Sequence, residues 1–166
     1  MGTRHPVVVW NVGTGNIFAE LPVEDSVLSM QAEWSPDGRF LAQSTAPFSF
    51  DGGVAKSSDI RLTLWDVAAQ RRVWQALQPS PSVKLAYSAD SRLLAVAYAP
   101  TGGVDVFDVL TGNKLLHWQP TGIPNTHRLA FSPDSAYLAA SGMSGSIRML
   151  HLADLRKRLS DIGLGW

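Results

Sequence analysis

The chain has no cysteine, which removes disulfide staples, thiolate metal sites and cysteine nucleophiles together and leaves the redox compartment open. Charge is sparse as well: 17% of the 166 residues are charged, and 14 basic groups face 14 acidic ones. A net charge of zero provides no electrostatic footprint for nucleic acid or an anionic membrane. No apolar run approaches the ~18 residues a spanning helix needs, and Met1–Trp10 contains no apolar stretch of signal-peptide length. A soluble, cytoplasmic protein with neither nucleic acid nor membrane as partner is the expectation. Helical periodicity is missing too, because proline, glycine and β-branched residues interrupt it up to residue 152. Hydrophobic residues still make up 45% of the chain, enough for a packed core and too many for disorder.

What is present is a repeat. The phrase Trp34-Ser35-Pro36-Asp37-Gly38-Arg39-Phe40-Leu41-Ala42 returns as Tyr87-Ser88-Ala89-Asp90-Ser91-Arg92-Leu93-Leu94-Ala95. It returns again as Phe131-Ser132-Pro133-Asp134-Ser135-Ala136-Tyr137-Leu138-Ala139. The aspartates of successive copies stand 53 and 44 residues apart. A second signature keeps similar time: Trp10-Asn11-Val12, Trp65-Asp66-Val67, Phe107-Asp108-Val109 and a worn Leu150-His151-Leu152, with steps of 55, 42 and 43. Two independent markers therefore define a period in the low forties, with one enlarged copy.

Within each period the chain reads as strands. Val83, Leu85 and Tyr87 alternate with Lys84, Ala86 and Ser88, the period of two of a pleated strand. Ser35-Pro36-Asp37-Gly38 supplies turn chemistry. Arg92–Ala99 is apolar on both faces, so both faces must be covered. A segment ending in the aromatic-Asp-Val signature and a further one such as Lys114–Trp118 complete four short strands per period. A four-stranded meander of this kind cannot bury both faces alone; neighbouring copies must cover it, as in a β-propeller. The predicted fold is all-β: a partial propeller of about three four-stranded antiparallel blades, residues 1–152, followed by a short amphipathic helix and tail, 153–166. The strands fall into groups of two, four, four and three, an incomplete ring. It predicts either the carboxy-terminal part of a longer propeller, docking with further blades, or closure of a ring by self-association.

The phrases Trp34–Ala42 and Ile60–Val67 resemble those of WD-repeat β-propellers, over residues 7–152. Many members of that family hold each blade with a buried tetrad of histidine, serine or threonine, aspartate and tryptophan. Tryptophan is present here at Trp10 and Trp65, but Phe107 and Leu150 replace it later, and no Gly-His pair precedes an innermost strand. Blades are therefore expected to depend mostly on apolar packing, with Trp10 and Trp65 in inter-blade core. The tail, with Asp154 as cap and Leu155, Leu159 and Ile162 on one face, resembles the terminal helix after the last blade of large bacterial WD-repeat proteins. Some of those carry an upstream serine/threonine kinase domain.

Catalytic chemistry finds little support. No phosphate-binding Gly-x-x-x-x-Gly-Lys-Ser/Thr loop occurs; Gly52-Gly53 and Gly102-Gly103 mark hairpin turns, and Gly142-Met143-Ser144-Gly145 lacks the spacing of a nucleophile elbow. His5, His117, His127 and His151 stand on different repeats without metal-ligand spacing; His127, beside an innermost strand, is the one candidate for the central channel. Asp66 and Asp108 read as strand-ending turn residues, and Asp37, Asp90 and Asp134 as hairpin formers. No catalytic residue, metal or cofactor is expected. Trp74 and Trp118, in corresponding outermost strands, are candidates for a rim that binds a partner, with packing against an adjacent strand as the alternative. The insertion Ala46–Ser58 carries Phe48 and Phe50, and loops of this length in compact repeats are commonly functional. The resemblance places that loop on a face such proteins use for binding. Trp166 is a further docking candidate. The expected function is a noncatalytic protein–protein interaction scaffold for a protein or peptide. The alternatives are a propeller hydrolase or lyase with a channel-mouth site, or a purely structural assembly segment of a larger protein.

Overall fold

A computed structural model describes residues 6–22, 27–47, 60–78 and 82–161. Strands β1 (Val7–Trp10) and β2 (Ile17–Leu21) form a two-stranded sheet, the first blade. The second contains β3 (Val27–Trp34), β4 (Phe40–Pro47), β5 (Arg61–Asp66) and β6 (Arg71–Leu77). The third contains β7 (Ser82–Tyr87), β8 (Leu93–Ala99), β9 (Val104–Asp108) and β10 (Lys114–Trp118). β11 (Thr126–Phe131), β12 (Tyr137–Gly142) and β13 (Ile147–His151) make the fourth, and α1 (Leu152–Asp161) follows at once. Within each sheet, strands consecutive in the chain pair antiparallel. The arrangement is thus a partial propeller with strands grouped two, four, four and three. Innermost strands β3, β7 and β11 lie side by side, so the blades stand edge-on around a common axis.

Both faces of the central strands are buried, because each face belongs to a different joint. In β8, Leu94, Val96 and Tyr98 join Phe40, Ala42, Leu62 and Leu64 of the second blade. The intervening Leu93, Ala95 and Ala97 join Leu138, Leu150 and Leu152 on the other side. A third cluster unites Val7, Val9, Ala19 and Leu21 with Leu41, Trp65 and Val67. The period-two pattern thus divides one strand between two cores.

The third-blade hairpin at Gly102 requires glycine: its φ is 71°, and a Cβ there would stand 2.1 Å from the Ile123 carbonyl oxygen. The helix departs from the sequence expectation at its start. It begins at Leu152, with Asp154 inside its first turn, not at a cap. Leu152 is fully buried, and its N–H donates to the Ala136 carbonyl at 2.8 Å. The equivalent bonds in earlier blades are Val67 N–H to Arg39 and Val109 N–H to Arg92. The helix therefore starts from a position that in other blades begins a hairpin turn, which anchors it to the fourth blade. Asp154 pairs instead with Arg158, four residues on, at 2.8 Å.

Candidate interaction surface

The Ser-x-Asp phrase builds the tip between the first two strands of each blade. Ser35, Ser88 and Ser132 donate their hydroxyls to Asp37, Asp90 and Asp134. The same serine oxygens accept the N–H groups of Phe40, Leu93 and Tyr137 at 2.8–2.9 Å. The aspartates accept the N–H groups of Arg39, Arg92 and Ala136 at 3.0–3.2 Å. In each tip the serine hydroxyl and one carboxylate oxygen are thus engaged with their own turn. The Ser35 and Ser132 hydroxyls hold the Asp37 and Asp134 carboxyls below the usual carboxylate range. Asp90 is held low as well: burial pushes it up, but the Ser88 hydroxyl, the Arg92 N–H and the charges of Arg156 and Arg92 outweigh that.

These tips are linked from blade to blade. The Asp37 N–H donates to Ser91 Oγ at 3.1 Å, and the Ala89 N–H to Ser135 Oγ at 3.0 Å. Ser91 and Ser135 occupy the position of Gly38 and share its positive φ, 59° and 58° against 72°. A hydroxyl that reaches the preceding blade accompanies the strained backbone at both sites.

At the ends of the third strands, Asp66 accepts the Ala69 N–H at 3.1 Å and is bridged by Arg39. That N–H and the guanidinium keep its carboxyl low against the opposing effect of burial. Asp108 accepts the Thr111 N–H and hydroxyl, both at 2.8 Å. In the fourth blade the corresponding His151 stacks on Tyr137, ring centroids 4.5 Å apart.

The tryptophans separate by environment. Trp65 is buried, and its indole donates to Gln43 Oε1 at 3.2 Å. That bond adds a polar tie to blades expected to hold mostly by apolar packing. Gln43 was not legible because its phrase position is filled by Val96 and Ala140 in other copies. Phe107 is buried against Trp74, whose indole donates to the Val109 carbonyl at 2.8 Å and lies over Gly112. Trp118 packs, partly buried, against the joint between the third and fourth blades. Trp74 and Trp118 thus occupy packing positions, not a bare rim, because the next blade's turn and core reach over them. Phe48, Phe50 and Trp166 lie outside the described residues, as do Gly52, Gly53, Ile162 and His5.

His127 is exposed on innermost β11. His117 belongs to a network with no sequence motif: its Nδ1 lies 2.6 Å from the Asp105 carboxylate, which also accepts the Tyr98 hydroxyl at 3.1 Å. The Tyr98 hydroxyl reaches Gln78 at 2.5 Å, across the joint with the second blade. Asp105 and His117 face each other in the β9–β10 register. That pairing is visible only once the register is known. Among the described residues, no group of three or more His, Asp or Glu side chains could hold a metal ion.

Trp10 overturns its expected burial: it is 59% exposed where the equivalent Trp65 is 5% exposed. The reason is positional. Trp65 points toward the first blade, whereas no sheet among the described residues covers the corresponding face of the first blade. The opposite end shows the same contrast. Tyr137, Ile147 and Met149 are 38%, 62% and 64% exposed, whereas Phe40, Leu62 and Leu64 at the matching register are 0–3% exposed. Both end faces have the apolar composition of a joint.

A family model, "WD domain, G-beta repeat", matches residues 120–150, the stretch that forms the three strands of the fourth blade. The chain is 27% identical to Transducin beta-like protein 3 of Rattus norvegicus and 28% identical to that of Bos taurus. Each match spans 156 residues, 92% of this chain and 18% of the relative. These matches, with the repeat and the blade architecture, support a WD-repeat propeller family. Among solved structures, a chain from "Crystal Structure of Mitotic Checkpoint Complex" matches with TM-score 0.68 at 19% identity, over 91% of this chain and 44% of that one. The chain spans under half of its structural neighbour and less than a fifth of those relatives.

Proposed function

We propose that this chain is a noncatalytic protein-interaction scaffold. It packs against further blades through its two end faces and presents hairpin tips and the 46–58 insertion to a protein or peptide. The observation that carries the reading is the contrast in exposure between equivalent residues. Apolar side chains buried within the arc stand open at its ends, as expected of a surface that associates. The turn carboxylates support it too, since their hydrogen bonds serve the tips themselves. Phe48 and Phe50, in the first half of the insertion, are the proposed anchors for the partner.

Changing Phe48 and Phe50 to serine should weaken partner binding while leaving thermal unfolding nearly unchanged; equal loss of both would assign them to the core. Turnover in a screen of hydrolase and lyase substrates would overturn the noncatalytic reading.

A further inference from the structure

The last turn of α1 carries a serine behind three consecutive cations, Arg156-Lys157-Arg158-Leu159-Ser160. No other serine or threonine of the chain has more than one lysine or arginine among the four residues before it. We propose that Ser160 is a phosphorylation site, the substrate of a basophilic serine/threonine kinase, and that its phosphate draws Arg156 away from the third blade. The inference stands independently of the scaffold reading.

Access is the first reason. Lys157, Arg158, Ser160 and Asp161 are all exposed, whereas the buried anchor of α1, Leu152, lies at its other end. The end of a helix held at its start opens readily, so the segment can enter a kinase cleft in extended form. The Arg158 guanidinium bridges Asp154 at 2.8 Å, but its side chain is 76% exposed. A surface pair of that kind is weak enough to exchange for an acidic pocket.

Chemistry is the second. Cations two, three and four residues before the hydroxyl suit a cleft lined by carboxylates, with which arginine pairs in bidentate fashion. In the transfer the Ser160 Oγ attacks the γ-phosphorus of ATP. The Oγ–P bond forms, the bond from that phosphorus to the β,γ-bridging oxygen breaks, and ADP leaves. The kinase's catalytic carboxylate accepts the hydroxyl proton.

The third reason is what the phosphate then meets. It stands beside Asp161 at the carboxy-terminal end of a helix, where the macrodipole disfavours an anion. Arg156 and Lys157, four and three residues earlier, are neighbours on the helix surface and the cations it reaches. Arg156 otherwise serves the third blade. With Arg92, Asp108 and Thr111 it lines a cavity of about 310 Å³ between α1 and that blade, and its charge helps to hold the Asp90 carboxyl low. A phosphate dianion competes for that guanidinium. The free end of α1 is thereby coupled to the turn before β8.

The test uses the whole chain, ATP and the catalytic subunit of the cyclic-AMP-dependent protein kinase as basophilic probe, with the phosphate mapped by peptide mass spectrometry. One phosphate should enter, on Ser160, and Ser160→Ala should abolish it. Arg158→Gln should lower the kinase's kcat/KM by about tenfold, the range of one charge-assisted hydrogen bond, with thermal unfolding unchanged. In the phosphorylated chain the Asp90 carboxyl carbon, followed by NMR, should titrate at higher pH than in the unmodified chain. Arg156→Gln should raise that midpoint before modification and remove the difference. Absence of incorporation, incorporation that survives Ser160→Ala, or a rate indifferent to Arg158→Gln overturns the proposal. So does an Asp90 midpoint that phosphorylation leaves unmoved.

Discussion

At the scale of single residues, the blades are tied by groups whose worth lies in one atom. Ser91 holds a positive φ and accepts the Asp37 N–H from the preceding blade. Ser91→Ala keeps the strained backbone and loses the acceptor, so it should cost about 1–2 kcal/mol. Ser91→Gly relieves the backbone and should cost less, which chemical denaturation of the pair would show. Tyr87 presents the reverse case. Its hydroxyl is buried without a hydrogen-bond partner among the described residues, and burial, aided by Asp37 and Glu33, raises its pKa. Tyr87→Phe should therefore leave stability unchanged or higher; a marked loss would reveal a partner for the hydroxyl. Asp66 sets an acid limit. Its carboxyl is held below its ordinary value of about 4. The stabilisation is present above that value and disappears as pH falls through it toward the folded-state value. Asp66→Asn should flatten the loss of thermal stability on that acid limb. The Ser-x-Asp turns are legible in sequence because both partners lie two residues apart. The Ser91 and Asp105 contacts are not, since their partners come from another blade or another strand.

At the scale of the element, β8 is the clearest case of sequence pattern becoming structure. Its apolar character on both faces requires two covering surfaces, and the two joints supply them. Leu94 is fully buried in the joint with the second blade. Leu94→Ala should destabilise the chain by about 2–5 kcal/mol in denaturant unfolding. A change under 1 kcal/mol would mean the neighbouring blade collapses to fill the space. The helix shows where element reading reaches its limit. Amphipathic spacing locates it, but the first residue is decided by Leu152, which is both the last apolar residue of the repeat signature and the helix's buried anchor.

For the whole molecule, the decisive feature is that the arc ends on two joint-like faces. Sized by light scattering, the isolated chain should associate in a concentration-dependent manner. Trp10→Glu and Met149→Glu should reduce that association while barely moving the thermal transition, because both side chains are already more than half exposed. A wild-type chain that remains monomeric at high concentration would remove the basis for end-face packing. A large fall in melting temperature in the variants would instead place these residues in the core of the monomer.

The chain by itself determined the blade repeat, its strand count and its turn chemistry, because those depend on hydrogen bonds and alternation within a few residues of each other. The tertiary structure alone decided which equivalent tryptophan is buried, which serine reaches across a joint, and which two arginines share a cavity. Those outcomes depend on which sheet lies next to which, and a repeat with one local pattern gives its inner and terminal copies different neighbours.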